Sequence, residues 1–310
     1  MPDNTIRTVR LAREVGFCFG VKRAIGLTEQ ALDEHQKVSI LGDLVHNQSV
    51  TSGLKARGLH KVGSLEEAGS GTMVVRAHGL PRADMQAAAS IGLQLVDATC
   101  PIVLRAQEAA KMLEERGCQV VVIGDKDHAE VRGILGALHR PALVVDSVVE
   151  LRVARAEHRL RRKVGVVLQT THSLELCQAI IAELVVLCKD IQIVNTICRP
   201  VQNRQDDAVD LAQSVDLMVI VGSRTSANTM ELATLCRKYN PYTVQIESAA
   251  DLPDDAVAWA ATVGIASGLS TPEDTVAGIA AYVRTFPEPI DPARRPDPAT
   301  FRGSEHATPT

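Results

Sequence analysis

Three cysteines, Cys18, Cys100 and Cys198, share one local setting: a strand-like apolar segment, a short polar turn, the cysteine, then a helical run. The segments read TVRLAREVGFC before FGVKRAIGLTEQALDEH, LQLVDATC before PIVLRAQEAAKMLEERG, and IQIVNTIC before RPVQNRQDDAVDLAQS. A thiol just ahead of a helix sits in partial positive charge, which favours the thiolate, the form that binds soft metals. The close Cys-x-x-Cys pairs that usually announce tetrahedral zinc are absent. Three scattered thiolates suit an iron–sulfur cluster with one iron left open to a substrate. Small buried core residues are the competing reading, and spacing alone leaves both open. Cys118, Cys177, Cys188 and Cys236 read as packing residues: Cys177 and Cys188 share one helical face, Cys118 opens a strand, and Cys236 lies within a helical stretch.

A second group of polar residues falls at the ends of short apolar runs: His46, Asn47, His78, His128, Glu130, Thr170, Thr171, Ser226, Asn228, Ser270 and Thr271. Imidazoles, hydroxyls and amides in such number can satisfy the acceptor oxygens of a diphosphate, and protonated histidine adds charge. Each residue alone reads more readily as a cap or turn residue; their recurrence at strand ends is the signal. Glu130, two residues after His128 and beside apolar neighbours, is placed to be a partly protonated carboxyl and a proton donor, with an exposed loop glutamate as the alternative. No Walker-type loop occurs, so a purine nucleotide is not the expected ligand.

The elements that must carry these residues are six β-rich runs, VSILGDLVHN, TMVVRAHG, CQVVVIGDKDHAE, KVGVVLQTTHS, DLMVIVGSRTSAN and WAATVGIASGLST, alternating with helical stretches. Continuous apolar strands between helices predict an α/β fold with mostly parallel sheets covered on both faces, and ligands bind beyond the carboxyl ends of such strands. The helix after Cys100 carries Ile102, Ala106, Ala109 and Leu113 on one face, and Gly117 is its expected stop. Cysteine spacings of 82 and 98 residues divide the chain into three similar modules, expected over 1–97, 98–196 and 197–285, with a flexible Pro-rich tail over 286–310.

With 33 basic and 37 acidic residues the 310-residue chain has a net charge of −4, and aromatics are 3%, which argues against a nucleic-acid surface. No apolar run reaches membrane-spanning length and no secretory signal opens the sequence, so the expected location is cytoplasmic, with no membrane partner.

The motifs GFCFGVKRA, VHN, AHG, DATCP, HAEV, QTT, NTIC with NRQ, SAN and SGLSTP, in this order across about residues 10 to 285, resemble the 4-hydroxy-3-methylbut-2-enyl diphosphate reductase family. The resemblance implies three α/β modules arranged as a cloverleaf around a central cluster cavity, with a [4Fe-4S] cluster held by Cys18, Cys100 and Cys198. It implies reductive removal of an allylic hydroxyl, giving isopentenyl and dimethylallyl diphosphates in the last step of the non-mevalonate isoprenoid pathway. By matching position, His46, His78, His128, Ser226, Asn228 and Ser270 are implied to hold the diphosphate, and Glu130, Thr170 and His128 to serve the proton chemistry. A reduced ferredoxin or flavodoxin is the implied electron donor. Ala227 stands where many members carry a second serine. Two other readings use the same residues: a non-catalytic iron–sulfur sensor of a diphosphate or of redox state, and a reductase of another allylic diphosphate.

Overall fold

Valine, isoleucine and leucine fill the runs that become the central strands, and these strands are buried on both faces, as parallel strands between helices must be. The computed structural model describes residues 7–45, 47–286, 290–298 and 301. His46, a sequence candidate, lies outside the described residues. Among the described residues, twelve strands form three four-stranded sheets in which every strand pair is parallel.

The chain opens with β1 (Thr8–Leu11). The first sheet contains β2 (Val38–Leu41), β3 (Leu59–Val62), β4 (Thr72–Val75) and β5 (Gln94–Asp97) in the order β3-β2-β4-β5, with helices α1 (Phe19–Glu34), α2 (Gln48–Ala56), α3 (Leu65–Ala68) and α4 (Arg82–Ser90). The second contains β6 (Gln119–Ile123), β7 (Leu143–Val145), β8 (Lys163–Leu168) and β9 (Asp190–Val194) in the order β7-β6-β8-β9, with α5 (Pro101–Glu115), α6 (Ala129–Leu135), α7 (Val148–Ala156) and α8 (Leu174–Leu187). The third contains β10 (Leu217–Val221), β11 (Thr243–Ile246) and β12 (Thr262–Ser267), with α9 (Arg199–Ala212), α10 (Ala227–Tyr239), α11 (Asp254–Ala258) and α12 (Glu273–Arg284). Its order is β1-β12-β10-β11.

Each sheet therefore has one plan: two central strands from the six runs, an edge strand that leads into a cysteine, and a second edge strand. The sequence places the first cysteine strand in a module of 1–97, whereas the structure pairs β1 with β12, Thr8 opposite Thr262. The physical reason is edge occupancy: β5 already covers β4 in the first sheet, and β12 has an edge that β1 fills. The structural repeat thus begins after each cysteine, and the last repeat is completed by the N-terminal strand.

The helices after the cysteines repeat in detail. The third residue on is a buried valine in each, Val21, Val103 and Val201. The tenth is buried as well, Thr28, Ala110 and Ala208. In α5 the buried stripe runs through Val103, Ala106, Ala109, Ala110 and Leu113, so Val103 takes the place expected for Ile102, which is half-buried. Burial of a leucine such as Leu113 contributes about 2–3 kcal/mol. Gly117, at φ 78°, stops this helix as expected: its N–H donates to Glu114 O at 2.9 Å and the Cys118 N–H to Leu113 O at 3.1 Å, a Schellman closure.

The chain folds as two compact units. One contains residues 7–18, 47–48 and the chain from 199 onward, hence the third sheet; the other contains 19–45 and 49–198, hence the first and second sheets. The tail expected to be flexible packs against the first of these units over its described part. Arg295 lies over the rings of Tyr242 and Trp259 at 4.7 and 5.0 Å, Phe301 meets Tyr242 edge-on at 5.3 Å, and the Tyr242 hydroxyl donates to Pro296 O. Two stacked aromatics give a Pro-rich segment something to cover, which its own composition does not disclose. Among the described residues no helix is long and apolar enough to cross a membrane.

Candidate functional site

The three cysteines are seated alike. Each immediately precedes its helix, and Cys100 is the N-cap of α5 with Pro101 in the first turn. Each N–H donates to a carbonyl in the loop that follows a central strand of its own sheet or the one it joins: Cys18 to Leu269 at 3.1 Å, Cys100 to Ala77 at 2.9 Å, Cys198 to Thr170 at 2.8 Å. These carbonyls belong to, or adjoin, Ser270, His78 and Thr170. The backbone thus ties every cysteine to a loop bearing a sequence-selected polar side chain. All seven cysteines carry thiols rather than disulfides. Among the described residues no group of three or more His, Cys, Asp or Glu side chains is gathered closely enough to hold a metal ion.

Within the unit of the first and second sheets, the loops after β6 and β8 build a buried acid. Glu130, 1% exposed, stands in the first turn of α6 and reaches the loop after β8. Its Oε1 accepts the Thr170 N–H at 2.7 Å, and its Oε2 accepts the Thr170 hydroxyl at 2.8 Å. Burial pushes the Glu130 carboxyl up to about 7, while the two Thr170 bonds pull in the other direction. His128 is the N-cap of α6, with Nδ1 accepting the Glu130 N–H at 3.2 Å, and its ring meets His78 edge-on at 5.6 Å between centroids. His78 sits in a tight turn closed by Gly79 N–H to Arg76 O at 2.9 Å. The structure therefore brings His78, His128, Glu130 and Thr170 into one polar cluster, and the carboxyl is far from the exposed loop glutamate of the alternative reading.

Within the other unit, the loops after β10 and β12, with the first turn of α10, hold Ser226, Asn228, Ser270 and Thr271. Ser226 is the N-cap of α10, its hydroxyl accepting the Thr229 N–H at 3.4 Å. Asn228 is buried, and its Nδ2 has no hydrogen-bond acceptor among the described residues. Asn47 Nδ2 donates to Ser270 O at 2.8 Å, and the Thr271 hydroxyl donates to Val221 O at 3.0 Å. Thr171, in the unit of the first and second sheets, serves as a partner of Gln169, whose Nε2 donates to it at 3.2 Å.

Two residues escaped sequence reasoning. Gln169, buried, accepts the Asp125 N–H at 3.0 Å and so joins the loops after β6 and β8. Arg204, buried on α9, shows in the sequence only as the middle letter of NRQ; comparing the three cysteine helices position by position singles it out. The packing cysteines divide as well. Cys118, Cys177 and Cys236 are buried, and burial pushes the Cys236 thiol up to about 12. Cys188 also packs against the core of the second sheet, as the half-buried C-cap of α8, with its thiol donating to Arg161 O at 3.5 Å.

Residues 9–284 match the family model described as LytB protein. Similar curated proteins include the 4-hydroxy-3-methylbut-2-enyl diphosphate reductase of Geobacter sulfurreducens, 38% identical over 276 residues, covering 89% of this chain and 96% of that protein. The enzyme of the same description from Pelobacter propionicus is 40% identical over 265 residues, covering 86% and 93%. Among solved structures, an (E)-4-hydroxy-3-methyl-but-2-enyl diphosphate reductase, described as the terminal enzyme of the non-mevalonate pathway, has a TM-score of 0.68 at 35% identity, covering 91% of this chain and 100% of that one. The E-1-hydroxy-2-methyl-but-2-enyl-4-diphosphate reductase of Plasmodium falciparum has a TM-score of 0.85 at 25% identity, covering 91% and 89%.

Proposed function

Because this chain belongs to the LytB family, we propose that it reduces 4-hydroxy-3-methylbut-2-enyl diphosphate to isopentenyl and dimethylallyl diphosphates, an oxidoreductase step of isoprenoid biosynthesis. Two electrons and two protons are consumed: the allylic C–O bond breaks, one proton leaves with the oxygen as water, and the other adds to the allylic carbon skeleton. One observation above all supports this: a glutamic acid shut away from water is hydrogen-bonded to the Thr170 hydroxyl and has its carboxyl near 7. At neutral pH such a group is part protonated, which is the state needed to give a proton to a departing hydroxyl. Thr170 Oγ donates to Glu130 when the acid is ionised and accepts from it when protonated, so the pair can hold or release a proton at Oε2 without rearrangement. His128 adds a titratable group one cap position away.

Cys18, Cys100 and Cys198 are the residues that would hold the iron–sulfur cluster. Their chemistry fits: three soft thiol donors, each in the same place ahead of a helix and each anchored through its own N–H. When bound, the cluster supplies the electrons and a Lewis-acidic iron for the hydroxyl oxygen. Asn228 Nδ2, buried without an acceptor, is a donor waiting for an anionic oxygen, which supports a role in binding diphosphate. Ser226, Ser270, His46, His78 and His128 are the further donors in this reading. Electrons come from a small reduced ferredoxin or flavodoxin, and the protein works in the cytoplasm.

Purification without oxygen, iron and sulfide analysis, and Mössbauer spectra with and without the hydroxylated diphosphate test the proposal. The expected result is one iron whose signal changes with substrate, and turnover to both products under a chemical reductant. A complete cluster that leaves the diphosphate unreduced overturns it.

A further inference from the structure

Arg204 occupies a position whose counterparts in the repeat are small. The residue six after the cysteine is Ala24 in α1 and Ala106 in α5, both fully buried; in α9 it is an arginine, 4% exposed. Burying a guanidinium in place of a methyl group is costly unless its charge and donors are used. Its donors are used in one direction. Nη1 shares its N–H groups among Gly16 O at 2.9 Å, Gly268 O at 3.0 Å and Ser267 O at 3.2 Å, with Ser267 Oγ at 3.4 Å. Gly16 lies two residues before Cys18, Ser267 ends β12, and Gly268 follows it on the way to Ser270. The same two turns meet again where Gly16 N–H donates to Ser267 Oγ at 3.2 Å and Cys18 N–H to Leu269 O.

No carboxylate neutralises this charge directly. Among the described residues no Asp or Glu is ion-paired with Arg204, and its Nε has no acceptor. A cation held by three carbonyls of the two turns that seat Cys18 is the arrangement expected where negative charge is to be held nearby.

We infer that Arg204 is a positioning residue for Cys18, fixing the Cys18 turn against the Ser270 turn and setting a positive charge at the backbone that seats this cysteine. This rests on Cys18 being a ligand, as proposed above. Two effects follow, one mechanical and one electrostatic. The turn should lose protection when the carbonyls lose their common donor. The bound group should become harder to reduce when the cation is removed, because reduction adds negative charge near it.

The test uses protein loaded and kept without oxygen, with Arg204→Met, Arg204→Lys and, as control, Cys18→Ser. Amide hydrogen exchange at Gly16 and Cys18, iron per chain and the reduction potential are measured. Arg204→Met should exchange at Cys18 about tenfold faster or more and have a more negative potential. Arg204→Lys keeps the charge and should restore the potential while leaving exchange faster than native; a purely structural role would not separate these two readouts. Native exchange and native potential in Arg204→Met, with iron lost in Cys18→Ser, overturn the inference. Full iron in Cys18→Ser overturns instead the ligand assignment beneath it. Should Arg204→Met not fold, Arg204→Lys decides: native exchange at Cys18 in that variant also overturns the inference.

Discussion

Replacing Glu130 by glutamine separates the two things its carboxyl does. In the fold, Oε1 takes the Thr170 N–H at 2.7 Å and Oε2 pairs with the Thr170 hydroxyl at 2.8 Å. Burial, the largest influence, lifts the group from an ordinary 4.5 to about 7 against both of those bonds. An acid that keeps its proton more tightly when folded stabilises the fold fully below its unfolded pKa, and this contribution is lost as pH rises through the folded pKa. Across the interval from 4.5 to about 7 the loss is about 3 kcal/mol. Glutamine matches the protonated acid, with a carbonyl for the N–H and an amide N–H for the hydroxyl oxygen, and it never ionises. The two proteins should therefore be about equally stable near pH ~4, and the variant should be more stable by about 3 kcal/mol near pH ~8. Equilibrium urea unfolding of both proteins over that range measures the difference. A difference that does not change with pH, or one that favours the native protein more as pH rises, refutes the burial argument. The same variant should bind the diphosphate substrate and lose turnover by about 10²–10⁴-fold, since an amide releases no proton; undiminished turnover removes Glu130 from the mechanism.

Two further substitutions probe the frame around the site. Gly222, at φ 147°, faces the Thr271 and Thr229 hydroxyls, and a Cβ there would lie 2.7 and 2.9 Å from them; Gly222→Ala should cost about 1–3 kcal/mol in urea unfolding, and an unchanged midpoint would contradict this packing. Arg295→Ala removes two cation–π contacts worth about 0.5–1 kcal/mol each. Trp259 is the single tryptophan, so its emission should move to the red as the tail lifts, and an unaltered spectrum would mean the tail does not cover it.

Much of the frame could be read because parallel strands are written as uninterrupted apolar runs. LMVIV and QVVVI have no other reading at that length, and the three cysteine segments announced β1, β5 and β9. The strands that escaped are β3, β7 and β11, edge strands such as LVV and LHKV that lead into no cysteine or polar motif to mark them. The pairing of β1 escaped for another reason: chain order says nothing about which sheet has an edge left to fill. At the site, residue types and loop positions marked Glu130, Thr170, His78 and His128, but their convergence depends on α6 capping at His128 and turning the carboxyl toward Thr170. Arg204 was hidden because a basic residue on a helix ordinarily faces water, and only the buried alanines at the equivalent positions reveal that this one does not.

Closing the third sheet with β1 also imposes an order of assembly. The strands of the first and second sheets leave the ribosome consecutively and can pair as they appear. β1 is made first, yet its partner at Thr262 follows some 250 residues later, roughly 10–50 s at ordinary synthesis rates. Until then Leu269 and Arg204, the groups that fasten the Cys18 turn, do not all exist. Of the three cysteines, the first to be synthesised is the last to have its backbone partner made.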